Sequence, residues 1–335
     1  MTSTRRIKQL SLLAIIFLCV YGLWSVYKTQ RYIYAMQAVE RQAREKRLVD
    51  WQLLEQEVRQ RVASYPGEVS LLIKDMATGW EISHGGDHML PAASVIKIGI
   101  MSACLQAVQA GTLSLDECLV VQPADQTMGS GVIWLQPAGQ AYTISELMRL
   151  MIGQSDNTAS NMLIKRLGME KINQFLLASG LTHTRLERPM MDFAARARGH
   201  ENYTSAADMA KLLENIYSRR WPTPELSELA LDYLKNQKVH DRIPAKLPHG
   251  VVVAHKTGYE RFLCHDAGIV FMTEGDYLIC VLTKSHGSFN ASRLLIAEMA
   301  YDVYEYMQTA TPLINPEGEV YDFSAQRYGE LMHRG

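Results

Sequence analysis

The chain has 335 residues, 47% of them hydrophobic, and a formal net charge of −1. That length suits one large domain, or a medium domain with attachments, and the charge balance gives no reason to expect a polyanion such as nucleic acid as partner. Histidine, cysteine and carboxylate residues nowhere cluster at metal-ligand spacing, so neither metal nor organic cofactor is expected.

Arg5, Arg6 and Lys8 precede an uncharged run from Gln9 to Tyr27. As a helix this run is about 28 Å long, close to the hydrocarbon thickness of a bilayer. Tyr21, Trp24 and Tyr27 sit near its far end, where amphipathic rings favour the interface. The end of the run, Gly22-Leu23-Trp24-Ser25-Val26-Tyr27, lacks the small residues of a signal-peptidase site, and Ile16-Phe17-Leu18 before Cys19 lacks the small residue expected ahead of a lipidated cysteine. Residues 1–30 therefore read as an uncleaved single-pass anchor in the cell membrane, with the N-terminus inside and the body outside the cytoplasm.

Residues 31–47 are rich in Arg, Gln, Glu and Lys and read as a solvated helical stalk. The body is assigned to residues 48–310 and a polar tail to 311–335. Within the body, Leu48, Trp51, Leu54, Val58 and Val62 form one helical stripe that stops at Pro66-Gly67. Val69–Ile73, a turn at Thr78-Gly79 and Trp80–Ile82 read as a hairpin. From Ser94 to about residue 240 the periodicity is largely helical. Strands return at Val251–Ala254, Ala267–Phe271 and Tyr277–Leu282, and a helix closes the body over about Ala291–Met307. Strands at both ends join in one sheet only if the helical block is inserted between them. The fold class expected is α/β, an α+β sandwich: a five-stranded antiparallel sheet built from both ends of the domain, flanked by helices, with an inserted all-helical subdomain. The place between sheet and insertion is the natural place for a site. The cysteines read as small buried hydrophobes, with a Cys104–Cys118 or a Cys264–Cys280 bridge as the other option.

Three short motifs carry chemistry. Ser94-Val95-Ile96-Lys97 places a hydroxyl and an amine one helical turn apart. A lysine in a dry site loses its preference for the charged form and can act as the base that a serine nucleophile needs. The helix start also offers free N–H groups to an oxyanion. In Ser155-Asp156-Asn157 the second hydroxyl can relay a proton to a leaving group, and the carboxamide can hold lysine and substrate amide. Lys256-Thr257-Gly258, at a strand end, supplies a cation and a hydroxyl for a substrate carboxylate, and its glycine leaves the strand edge open. Any one of these is ordinary: a helix start, a cap, a turn. Their order and separations, about sixty and about one hundred residues, make a specific constellation.

The trio resembles that of the class A β-lactamases and penicillin-binding proteins. The resemblance extends over roughly Pro66 to Gln308, including Asp75–Gly79, Gly111–Asp116 and Met151–Leu163. It implies that Ser94 attacks, Lys97 activates it, Ser155 relays protons, and Asn157, Lys256, Thr257 and Gly258 hold substrate. It also implies an oxyanion hole from the backbone N–H groups of Ser94 and Tyr259. The substrate is then a small β-lactam or a cell-wall D-alanyl peptide.

The chain departs from that family where deacylation is concerned. Matching Thr184–Arg188 and Asn202–Thr204 to the ends of the family's catalytic loop puts Pro189 or Met190 where its water-activating glutamate stands. Arg188 of the loop clasp remains, but its partner position holds Asn202, and Phe193 or Ala194 replaces the water-holding asparagine. Asp192 is the candidate replacement base, with capping of the loop as its alternative role; Glu187 beside Arg188 reads as a surface pair. His265-Asp266 cannot form a relay with Ser94, because neighbours in a strand point to opposite faces, and His255 reads as a packed strand residue. Trp134 and Tyr142 read equally as lining the substrate site or as loop packing. The activity expected first is β-lactam hydrolysis through an acyl-enzyme. A D-alanyl-D-alanine carboxypeptidase or penicillin-binding protein with slow deacylation stands beside it, as does a non-catalytic β-lactam or peptidoglycan sensor.

Overall fold

A computed structural model describes residues 2–312, without the side chains of residues 2–7, 9, 11 and 12. The expected polar tail therefore lies almost wholly outside the described residues. The chain divides into two compact units, one containing residues up to Leu53 and the other Leu54–Gln308.

In the first unit, helix α1 (Thr2–Ser64) begins. It runs without a break through what the sequence separates into anchor, stalk and first domain helix. Among the described residues it is the one helix long and apolar enough to cross a membrane. Phe17, Leu23 and Trp24 are exposed, and Lys28 lies over the Trp24 ring.

In the second unit α1 ends at Ser64, two residues before Pro66, and buries Leu54, Val58 and Val62 of the expected stripe. Strands β1 (Glu68–Asp75) and β2 (Glu81–His84) form the first hairpin. Asp75 closes its turn by accepting N–H bonds from Ala77 and Thr78, and Gly79 takes φ 75° there. Next come β3 (Leu90–Pro91), a 3₁₀ turn at Ala93–Val95 and α2 (Ile96–Gln109). The inserted block continues with β4 (Cys118–Val120), β5 (Ala141–Thr143), α3 (Ile144–Gly153), α4 (Asn157–Leu167), α5 (Met169–Ala178), α6 (Phe193–Ala197), β6 (Tyr203–Thr204), α7 (Ala206–Tyr217) and α8 (Pro224–Lys235). Most of its helices start where the sequence supplies caps. Thr143 and Glu146 make a reciprocal box at α3, and Thr223 followed by Pro224 opens α8.

Three long strands return the chain to the sheet: β7 (Val252–Glu260), β8 (Leu263–Phe271) and β9 (Tyr277–Lys284), followed by α9 (Phe289–Thr309). The sheet order is β2-β1-β9-β8-β7, antiparallel throughout. The β1–β9 ladder, from Glu68↔Lys284 to Asp75↔Tyr277, joins the two ends of the domain as the pattern requires. β7 and β8 reach further than their apolar runs, because Lys256, Thr257, His265 and Asp266 are buried within the strands. The motif expected at a strand end thus lies inside β7, which is an edge strand beside the 3₁₀ turn of Ser94. All five cysteines are free, so neither of the two alternative bridges forms. Cys118 is exposed while Cys104 is buried. Cys264 and Cys280 occupy different registers of the β8–β9 ladder, opposite Thr283 and Ala267.

Candidate active site

Four elements converge where the edge of β7 meets the helical block. Ser94 is half-buried in the 3₁₀ turn that feeds α2, directly after Ala93, whose φ of 44° is unusual for a residue with a side chain. Three residues on, Lys97 is wholly buried. Its amine donates to the Ser155 carbonyl (2.7 Å), to Ser155 Oγ (3.1 Å) and to Asn157 Oδ1 (2.9 Å). Burial lowers its pKa to about 7, against a smaller opposing effect of Asp156. Lys256 reaches the same hydroxyl from the other side, Nζ to Ser155 Oγ 3.2 Å, and donates to the carbonyl of Thr257 (2.7 Å). Its pKa also falls well below the ordinary lysine value, through burial first and then through the charge of Lys97. Ser155, at φ 55°, is therefore a hub between two amines.

Asp156 explains why this hub is rigid. Its carboxylate caps α4 through Ala159 N (2.9 Å) and also accepts from Val132 N (2.7 Å) and Ile133 N (2.9 Å). A β-carbon at Gly131 would lie 2.3 Å from that carboxylate, so glycine is required there. Asn157 completes the fixing by donating to Met128 O (3.0 Å). Thr257 is buried and Tyr259 exposed, its ring packed against Phe289. At Gly258 a β-carbon would press at 3.2–3.3 Å on His265 and Val95, so glycine lets β7 approach the turn that holds Ser94.

The buried histidines are structural in their contacts. His265 spans Pro91 O (2.9 Å, Nε2) and Thr283 N (3.0 Å, Nδ1), which fixes a neutral ring with its proton on Nε2; burial lowers its pKa to about 4. Asp266 instead faces His255, both oxygens within 3.0 Å of Nδ1. The two neighbours thus point apart, as alternation requires. Trp134 is half-buried in a 3₁₀ turn, and Tyr142 donates to Gln140.

On the opposing loop, Asn161 donates to Met190 O (3.1 Å) and accepts from Met190 N (2.7 Å), so a methionine is clamped by its backbone. Asp192 is the N-cap of α6, with Oδ1 on Ala195 N (2.8 Å). Glu187 pairs with Arg185 at 2.6 Å. The loop clasp is rebuilt rather than incomplete. Arg188 pairs with Glu201 at 2.7 Å, one residue before the expected position, while Asn202 holds the N–H groups of Glu187 (2.7 Å) and Arg188 (3.0 Å). Glu201 is not apparent from the sequence because Asn202 occupies the position that matches the clasp partner. Asn161 was also missed; it stands one turn past Asn157 on the same face of α4. Arg242 was missed too: it is buried, donates to Cys264 Sγ (3.2 Å), and its charge further lowers the pKa of Lys256.

Residues 53–307 match the family model described as "Beta-lactamase enzyme family". The chain belongs to that family and is a serine hydrolase of the penicillin-recognising type. A β-lactamase of Rhodobacter capsulatus is 32% identical over 50% of this chain and 58% of its own length. The chain is also similar to the solved structure of a mutant of PBP-A in an acyl-enzyme complex with penicillin G. That likeness has 31% identity and TM-score 0.71, and it covers 77% of this chain and 97% of the other. A β-lactamase from Sphaerobacter thermophilus gives 28% identity, TM-score 0.71 and the same coverage.

Proposed function

We propose that this protein is a membrane-anchored serine hydrolase that opens β-lactam amide bonds through an acyl-enzyme at Ser94, with its catalytic body outside the cytoplasm. The observation that carries the reading is the Ser155 hub, a hydroxyl held between two buried amines beside the nucleophile turn. In the proposed sequence, neutral Lys97 takes the Ser94 proton as Oγ attacks the lactam carbonyl. The oxyanion is received by the N–H groups of Ser94 and Tyr259. Ser155 passes a proton to the leaving nitrogen as the C–N bond breaks, and is reprotonated from the lysine side. Lys256 and Thr257 hold the substrate carboxylate, and Asn157 its amide. Hydrolysis of the ester then needs an activated water. Anchoring rests on the apolar start of α1, with Arg5, Arg6 and Lys8 ahead of it.

One observation favours a second reading. The loop position clamped by Asn161 is Met190, which accepts no proton. A penicillin-binding protein or D-alanyl-D-alanine carboxypeptidase with a long-lived acyl-enzyme fits that feature. Time-resolved intact mass of the detergent-solubilised chain with excess benzylpenicillin separates the two. An adduct that forms and decays as hydrolysed drug accumulates supports hydrolysis, and one that persists for hours supports the second reading. Ser94→Ala should form no adduct. A folded wild-type chain that forms none with several β-lactams would overturn both.

A further inference from the structure

Four alternating charges close a ring beside the site. Arg188 pairs with Glu201 at 2.7 Å, Glu201 with Arg196 at 2.9 Å, Arg196 with Glu260, and Glu260 returns to Arg188 at 3.8 Å. Three of the four belong to the segment between Thr184 and Thr204 that carries Met190, Met191 and Asp192. The fourth, Glu260, is the last residue of β7, directly after Tyr259. The segment's neck is closed without this ring: Arg185 and Tyr203 exchange backbone hydrogen bonds of 3.0 and 3.1 Å, and Asn202 holds Arg188 by N–H and carbonyl. The contact with Glu260 therefore does something the neck does not, tying the loop to another element.

Both tied ends are open to solvent at the point of contact: after six buried residues of β7, Tyr259 is exposed and Glu260 half-buried. β7 is an edge strand, bonded only to β8 within the sheet, and its turn runs through Phe262 at φ 69°. On the loop side α6 has five residues, of which Ala195 alone is buried. A short, exposed segment such as α6 opens at low free energy, so a charge pair to the end of β7 bears on where it rests. The Arg188 and Glu201 side chains are 6% and 10% exposed and Glu260 20%, so Arg196, at 37%, meets carboxylates that are less screened than surface ones.

We propose that Arg196 and Glu260 are positioning residues that couple the 187–202 loop to the Tyr259 end of β7, so that the loop's clamp and the strand's oxyanion N–H hold each other in place. The kinetic arm rests on the function proposed above; the structural arm does not.

The test compares the full chain in detergent micelles with Glu260→Gln, Arg196→Gln and the double variant. Hydrogen exchange should rise reciprocally: Glu260→Gln should speed exchange across 187–202, and Arg196→Gln across the end of β7, each about 3–10-fold. The double variant should fall short of the sum of the two singles, since the Arg196–Glu260 pair is lost in both while each single also loses its own second partner. Adduct formation with benzylpenicillin should slow by a similar factor in each, and Glu260→Asp should recover part of it. Raised salt should move the wild type in the same direction, because Arg196 is partly exposed; this arm serves if a variant fails to fold. Exchange changes confined to the substituted element, additive effects in the double variant, or reciprocal exchange with unchanged adduct formation would each overturn the proposal. A wild type that forms no adduct would sink the acylation reading and leave the exchange test standing.

Discussion

Lys97 and Lys256 are wholly buried and share one hydroxyl, whereas each carboxylate of the facing 184–204 segment is already engaged. Glu187 pairs with Arg185, Asp192 caps α6 and Glu201 pairs with Arg188. One side of the site is thus built from groups held in a costly environment, with their proton affinities shifted. The other side is built from groups held in comfortable ones. Perturbed groups gathered at one place mark where proton transfer is supported, and satisfied ones mark support of the backbone. The contrast supports the bond-opening chemistry proposed for the lysine side and leaves the loop with a clamped methionine.

Removing the base should break the comparison most severely. Lys97→Met should slow adduct formation on Ser94 by about 10²–10⁴-fold, the usual worth of a positioned base. In the wild type, adduct formation should rise with pH through about 7, because the neutral amine is the active form and burial lowers the Lys97 pKa to that value. The pH profile will belong to the Lys97–Lys256 pair rather than to either residue. A profile flat between pH 6 and 8 would remove Lys97 from the role.

The lysine side should also show its environment in stability. His265 is held neutral in the fold with a pKa of about 4, below the ordinary histidine value of 6.5. The unfolded chain therefore binds the extra proton in that window, and stability falls as pH drops from about 6.5 towards 4, by about 3 kcal/mol from this group. Denaturant titrations at several pH values should show that slope in the wild type and a shallower one in His265→Gln.

Changes on the loop should be smaller and of opposite sense. Met190→Glu puts a carboxylate on the backbone that Asn161 clamps and should speed adduct decay by about tenfold or more, read by intact mass. Unchanged decay would mean that this loop position does not face the ester. Asp192→Asn keeps an oxygen for the α6 cap and should alter decay less than about twofold. If decay stops instead, Asp192 is the water-activating base and its capping bond is incidental.

How far the sequence reached can be judged at particular residues. The motif trio singled out Ser94, Lys97, Ser155 and Lys256 because each motif is a run of three or four residues, where spacing alone keeps the side chains close together. The sheet built from both ends of the domain was legible for a related reason: an apolar hairpin and three apolar strands flanking a helical block can bury their faces by pairing. Glu201 and Glu260 were not legible, because their partners come from other segments and no local period connects them. Nor was the extent of β7 and β8, since buried Lys256 and Asp266 read as polar breaks until their partners are known. Sequence by itself determined which chemistry this protein carries, because hydroxyls, amines and their turn-by-turn spacing are local properties. Only the tertiary structure decided how that chemistry is poised, because burial, shared hydrogen bonds and the resulting proton affinities depend on which distant elements close around each group.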